Sequence, residues 1–194
     1  MYEVQMKKLL IFPILLIVAT ILSSETLPEP ESQSQNTTWN LWGYFDYGNG
    51  ILKNVFLRSL EGGLGMELND KYRVTVYKKI YSEPVELFDD AKYEFLGYGV
   101  QFGRVWQVNN WKFCPSIGIE KGRMRTGQGS YTLNWLGYDY EYFTYDDIYY
   151  TILSLSAQYR LGSVVALNGK LFAAINPDYP AFGVSLGLNL GKMK

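Results

Sequence analysis

From Trp39 onward, hydrophobic residues recur at every second position in about eight stretches: roughly 39–47, 55–68, 71–82, 92–107, 111–121, 147–161, 163–175 and 181–191. A period of two marks a β-strand with unlike faces, because successive side chains point to opposite sides of the pleat. In the last stretch Phe182, Val184, Leu186, Leu188 and Leu190 share one face, against Ala181, Gly183, Ser185, Gly187 and Asn189. The stretch 147–161 divides likewise, with Tyr149, Leu153, Leu155 and Tyr159 opposed to Tyr150, Ile152, Ser154, Ser156, Gln158 and Arg160. The division is weakest over 163–175, where Ala166, Asn168, Lys170 and Phe172 share the second face. Asn69-Asp70, Asn109-Asn110 and Leu161-Gly162 join neighbouring stretches tightly, whereas the links 48–54, 83–91, 122–146 and 176–180 are longer. Short and long links in alternation, with both chain ends on the short side, predict an all-β fold. The expected architecture is an eight-stranded antiparallel up-and-down transmembrane β-barrel.

The polar face carries both signs: Asp46, Glu61, Glu67 and Glu120 against Arg73, Lys79, Lys112, Arg160 and Lys170. In a membrane barrel these side chains line the lumen and pair with one another. Glu67 and Arg73 stand at mirror positions around the Asn69-Asp70 turn, so they are expected to face each other across a hairpin. Trp42, Tyr44, Tyr77 and Tyr150 fall on the same face and fill much of the narrow bore of eight strands. The lumen is therefore expected to be held by ion pairs rather than by an apolar plug. A soluble barrel of the lipocalin kind would turn the same pattern inside out, and alternation alone does not choose between them. The strongly sided links and the repeated Tyr and Trp at the ends of the apolar face favour the membrane. Tyr149 and Tyr159 lie ten residues apart, about 23 Å of height for a strand tilted by ~45°, close to the apolar band of a bilayer. Arg58, Lys78 and Arg104 share the apolar register. Arg58 and Lys78 are expected toward the long-link ends of their strands and Arg104 toward the short-link end, where their stems can reach headgroups.

Ahead of the strands, Lys7-Lys8, the apolar run Leu9–Leu22 and Ser23-Ser24 follow the charged, apolar, small-residue order of a secretory signal. The run contains Pro13 and is shorter than the ~20 residues of a spanning helix. Residues 1–24 are read as a cleaved signal peptide, 25–38 as a flexible lead-in and 39–194 as the barrel domain. A net charge of −1 without a basic block is not the footprint of a nucleic-acid binder. Histidine is absent and Cys114 is the sole cysteine, so neither a metal cluster nor a cofactor site suggests itself. Glu61 and Glu67 read as structural charges beside Arg73 and Lys79 rather than as an acid–base pair, and no enzyme is expected. Functional interest falls on 122–146, which carries Tyr131, Trp135, Tyr138, Tyr140, Tyr142 and Phe143 interleaved with Asp139 and Glu141. Alternation of Tyr138, Tyr140 and Tyr142 predicts a hairpin that continues the strands and turns near Leu136-Gly137. Those aromatics suit a surface contact for a protein or a glycan, and equally a self-packed aromatic girdle.

The closing strand, Ala181-Phe182-Gly183-Val184-Ser185-Leu186-Gly187-Leu188-Asn189-Leu190-Gly191-Lys192, resembles the last strand of the bacterial eight-stranded outer-membrane β-barrels, the OmpA-transmembrane, OmpX and OmpW-like group. The resemblance spans about 39–191 and departs at the end, where Gly191-Lys192-Met193-Lys194 replaces the terminal aromatic common in that family. It implies a bacterial outer-membrane location with both termini in the periplasm. It also implies contact with outer-membrane lipid and lipopolysaccharide, and delivery by the barrel-insertion machinery. The family's small-barrel enzymes rely on a histidine that this chain lacks, so the expected role is structural or surface-interacting. A narrow pore or carrier for small hydrophobic solutes, and a soluble periplasmic or secreted lipocalin-like barrel, are the alternatives.

Overall fold

The computed structural model describes residues 38–53, 55–84, 93–134 and 137–191, apart from the side chains of 128–141. The proposed signal peptide, all of the lead-in except Thr38, Trp135, and the side chains of Tyr131, Tyr138 and Tyr140 lie outside the described residues. Within them the chain forms β1 (Trp39–Leu52), β2 (Val55–Leu68), β3 (Tyr72–Ser82), β4 (Tyr93–Arg104), β5 (Trp106–Val108), β6 (Trp111–Asn134), β7 (Gly137–Arg160), β8 (Val165–Ile175) and β9 (Ala181–Gly191). The pairings are antiparallel, and β1 bonds to β9 as well as to β2, which closes the sheet. The segments β4 and β5 form one stave, since both pair with β6 in one register, Gly103 opposite Ser116 and Trp106 opposite Phe113. The break at Val105 falls opposite Cys114, beside Pro115, which has no N–H to give to the ladder. The closed barrel thus has eight staves.

Partners followed once around the wall run Trp42, Gly65, Thr75, Gln101, Gly118, Ile152, Ala174 and Ala181, and return to β1 at Leu52, ten residues beyond the start. With a rise of ~3.3 Å per residue and strands ~4.8 Å apart, that stagger sets a tilt of about 40°. All the residues on this path belong to the inward set. The outward set is apolar over the barrel's height: Phe45, Leu64, Val76, Phe102, Ile119, Leu171 and Leu186 are exposed. Trp111 and Tyr72 stand at the short-turn end of this belt, and Tyr149 toward the other. A sheet that exposes this much hydrocarbon while burying Glu61, Glu67, Lys79 and Glu120 is built for lipid outside. The lipocalin-like alternative is overturned by this orientation.

Several boundaries differ from the expected ones. The link 48–54 shrinks to the two residues between β1 and β2, because Gly48 and Gly50 are not turn residues. They lie inside β1, where a Cβ at Gly48 would overlap the Val184 carbonyl and one at Gly50 would crowd Phe182; glycine here lets β1 approach β9. The link 122–146 is almost wholly strand: β6 and β7 continue past 121 and 147 as the hairpin expected there, paired up to Asn134 opposite Gly137. The tight link at Asn69-Asp70 has both residues at positive φ (52° and 54°), and Lys71 N–H closes the turn on Leu68 C=O at 3.0 Å. Both central residues are therefore in the conformation that matches a hairpin's twist. Arg58 lies at the long-link end of β2 and Arg104 pairs with Tyr72 near the short-turn end. Lys78 differs from expectation. It is exposed within the belt, opposite Gly62 and Tyr98, with Ile80, Leu60 and Leu96 still beyond it toward the long-link end. The register is the expected one, but β3 itself runs on past the lysine to Ser82, which puts Ile80 and its partners Leu60 and Leu96 beyond it.

Candidate functional site

Two features of the barrel bear on function: what fills the lumen, and what projects from it. At the short-turn end of the lumen, Glu67 is the hub. Arg73 donates to it through Nε at 3.0 Å and Nη2 at 2.5 Å, and Lys112 Nζ lies 2.7 Å from its other oxygen. Arg73 also reaches Gln158 Oε1 at 2.5 Å and Ser156 Oγ at 3.2 Å across the bore, and its guanidinium lies 5.1 Å from the Trp42 ring. Lys112 bonds Asp70 as well, at 3.0 Å, which ties the network to the Asn69-Asp70 turn. Higher in the barrel Glu61 bonds Lys170 and lies 3.1 Å from Lys79, while Tyr44 donates to it at 2.9 Å. Asn168 bonds both oxygens of Asp46 at 3.0 Å. Glu120 accepts from the Tyr77 hydroxyl at 2.7 Å. Arg160 is placed apart from these groups. It half-faces a small cavity beside Lys112 and forms no ion pair among the described residues.

The long-link half of the lumen is a hydrophobic plug, which corrects the expectation of ion pairs throughout. Leu52, Leu57, Tyr81, Phe95, Met124, Ile148, Tyr150, Ile152 and Phe172 pack as one buried cluster. Phe95 stands edge-on to Tyr150 at 5.4 Å, and Tyr81 lies between Phe95 and Phe172 at 5.8 and 5.9 Å. Lys79 sits on the boundary between the halves. Its ammonium is ion-paired with Glu61 without hydrogen-bond alignment, and lies 3.7 Å from the centre of the Phe172 ring and 4.8 Å from that of Tyr81. The rings thus take up the face of the cation that the carboxylate leaves. Parity along the chain puts Tyr150, Ile152 and Phe172 on the inward face, but nothing along it gathers them into a plug. Asn40, Asp70, Gln101 and Asn168 were absent from the expected network, although their inward parity or turn position was a usable signal.

Two cavities in the polar half hold about 30 and 20 Å³, space for single waters rather than for a conduit. Among the described residues no three carboxylate or thiol groups converge as metal ligands. Cys114 is buried, 3.5 Å from Ser116.

The projecting feature is the β6–β7 hairpin. The last partner of β4 on β6 is Thr126, and β8 pairs with β7 only from Thr151. Beyond these points β6 and β7 pair with each other alone, through a bulge between Gln128 and Tyr131, up to Asn134 opposite Gly137. The root of the hairpin is braced on its outer face. Arg125 pairs with Glu94 at 2.9 Å and covers the Phe143 ring at 4.4 Å, and Arg123 meets Asp147 at 3.3 Å. On the other side Tyr179 donates to Asp146 at 3.1 Å while Lys53 lies over its ring at 4.7 Å. Partial burial first, and then this hydrogen bond to a carboxylate, push the Tyr179 hydroxyl pKa up. Of the candidate contact aromatics, Tyr142 is exposed and Phe143 is half-buried under Arg125.

No protein-family model and no curated protein sequence matches this chain. Solved structures do. Neisserial surface protein A superposes with a TM-score of 0.59 at 11% identity, over 80% of this chain and 99% of its own. The attachment invasion locus protein Ail of Yersinia pestis, in complex with the heparin analogue sucrose octasulfate, gives 0.56 at 12%, over 79% and 98%. The N-terminal β-barrel domain of OprF from Pseudomonas aeruginosa gives 0.52 at 9%, over 82% and 99%. At such identities the likeness is one of fold. The closed wall, the apolar belt and these superpositions together make this chain an eight-stranded β-barrel of the outer-membrane type.

Proposed function

We propose that this chain is a non-enzymatic bacterial outer-membrane protein, exported by a cleaved signal over residues 1–24, whose closed barrel anchors the β6–β7 hairpin as a surface for contact with another protein. The observation that carries the reading is the contrast between a filled lumen and a hairpin whose strands continue past their last β4 and β8 partners. A bore blocked by Phe95, Tyr81 and Phe172 offers no path to solutes, so the narrow-pore alternative lacks a conduit. The hairpin supplies area instead: Tyr142 and Tyr145 are exposed at its base, and tyrosine gives amphipathic contact at low entropic cost. Residues 122–147 carry Arg123 and Arg125, plus Asp139, Glu141, Asp146 and Asp147, so carboxylates prevail. That sign disfavours a sulfated glycan of the kind bound to Ail and favours a neutral or basic protein surface. Barrel assembly relies on the insertion machinery.

The test replaces residues 128–142 by a two-residue Asn-Gly turn in the full chain. Membrane fractionation should recover both forms in the outer membrane, and planar-bilayer recordings should show little or no steady current from either. Externally added protease should cut the intact cells' native form within the hairpin and spare the shortened one. Proteoliposomes of the native form should adhere to protein-coated surfaces and not to heparin, with adhesion lost on shortening. Equal adhesion of the two forms, or adhesion to heparin alone, would sink the reading.

A further inference from the structure

The two strands of the projecting hairpin do not have equal company. At the level of Arg123 and Arg125, β6 is flanked by β4 on one side, through Leu96 and Glu94, and by β7 on the other, through Asp147 and Tyr145. The far side of β7 has no such neighbour. Its ladder with β8 stops at Thr151 opposite Ile175. The next rung, at Tyr149, would fall to Pro177, which has no N–H to give. The Asn176 side chain donates to the Tyr149 carbonyl at 2.9 Å instead and caps the ladder there.

That capped carbonyl fixes the orientation of the backbone beyond it. Residues two apart along a strand turn their N–H and C=O groups to the same side, so Asp147 and Tyr145 face away from β6 as Tyr149 does. Their N–H and C=O groups have no hydrogen-bond partner among the described residues. The alternation runs on unbroken toward the tip, because the bulge lies in β6, where Gln128 to Tyr131 match Tyr142 to Tyr140. Nor is this edge blunted by its own residues. From Tyr138 to Tyr150 the chain holds no Lys, Arg, Pro or Gly, and is rich in Tyr with Phe143, Thr144 and Ile148. A bare edge of that composition is a template for another strand.

We infer that the outer edge of β7, from Asp147 toward the hairpin tip, takes up an extended basic strand of a partner protein as an added member of the sheet. The inference rests on the hairpin being a contact surface for another protein, and supplies how the contact is made: through the backbone first, with side chains setting the choice. Charge decides the occupant. Asp146 beside the edge, and Asp178 on the link that caps the ladder, have no cation within ion-pairing distance among the described residues. A second copy of this strand would bring Asp139, Glu141, Asp146 and Asp147 to the same edge with no cation among them, and like charges across a strand pair are destabilising. A strand with Lys or Arg at alternate positions meets the carboxylates instead. Tyr142 and Tyr145, both exposed, offer their rings to its other side chains on the two faces of the sheet.

The experiment uses the purified full chain in lipid nanodiscs and a synthetic peptide of alternating lysine and valine, about ten residues long, the span of an ordinary strand. It is compared with the same peptide N-methylated along its backbone, and with one carrying glutamate for lysine. Only the first should bind, since methylation removes the donors and leaves the charge intact. On binding, the amides of Tyr145 and Asp147 should become protected from hydrogen exchange. Tyr145→Pro takes an N–H from the outer edge and none from the β6–β7 ladder, so the barrel should stay folded. Peptide affinity should then fall about tenfold or more, while Tyr145→Ala, which keeps the N–H, should lose no more than about threefold. Binding of the methylated peptide as tight as that of the first, no protection at Tyr145 and Asp147, or full affinity in folded Tyr145→Pro would overturn the added strand. Any of these would leave the hairpin's contact role standing on side chains alone. That role falls separately, if shortening the hairpin leaves adhesion unchanged.

Discussion

The two halves of the lumen fill one bore with opposite chemistry. Toward the short turns, Glu67, Arg73 and Lys112 form a charge network with Gln158 and Ser156, and Glu61 joins Lys170 and Lys79 above it. Toward the long links, Phe95, Met124, Ile148 and Ile152 pack as a hydrocarbon plug. The difference lies in how each half fails. An ion pair in a narrow lumen is complete or it is costly, since removing one partner leaves a charge buried without compensation. A hydrocarbon plug loses stability in proportion to the volume removed. Neither half leaves a channel, but only the apolar half would shrink the barrel's stability gradually.

The largest expected effect is at the carboxylate that serves two cations. Glu61→Ala leaves Lys79 and Lys170 without their main partner and should cost about 3–5 kcal/mol of unfolding free energy in detergent or lipid vesicles. A loss under about 1 kcal/mol would mean that water screens this part of the bore and that the halves do not differ as described. Next come Glu67→Ala and Arg73→Ala, each expected to cost roughly 3 kcal/mol, with the double variant recovering part of the sum. Strict additivity of those two would show that the pair is not coupled.

In the plug, Met124→Ala should cost about 2–3 kcal/mol from transfer and cavity terms. Combined with Glu67→Ala it should add to within about 0.5 kcal/mol, because the two sites share no partner. Departure from additivity would show that the plug and the network form one cooperative unit. The smallest effect is expected at Arg160, where Arg160→Ala should stay within about 0.5 kcal/mol of the native chain. A larger loss would reveal a partner at the short-turn mouth, and with it a longer network.

Much of this barrel could be read along the chain, strand by strand. Period two assigned faces correctly over Phe182–Leu190 and Tyr149–Tyr159, since each side chain's face follows from parity alone. The Glu67–Arg73 pairing was readable because the turn at Asn69-Asp70 is local and sets the register. The first link was misjudged for a definite reason: Gly48, Asn49 and Gly50 look like a turn, and it is the approach of β9, distant in sequence, that requires glycine there. The plug is not legible along the chain because its members are scattered over several strands, each a lone apolar exception among polar inward residues. Lys78 lies lower than expected because β3 continues to Ser82 beyond it, with Ile80 on the same outward face.

By itself, then, the sequence determined the strands, their two faces and the local hairpin registers, all of which depend on residues near one another along the chain. The tertiary structure alone decided which face turned inward and who met whom across the bore. Closure with a stagger of ten residues lifts the path from Trp42 to Leu52 in one turn around the wall. That stagger brings Lys170 of β8 to Glu61 of β2, and sets Phe172 beneath the ammonium of Lys79. Parity tells each strand which side chains point inward, but their heights relative to one another follow from closure, which no single strand encodes.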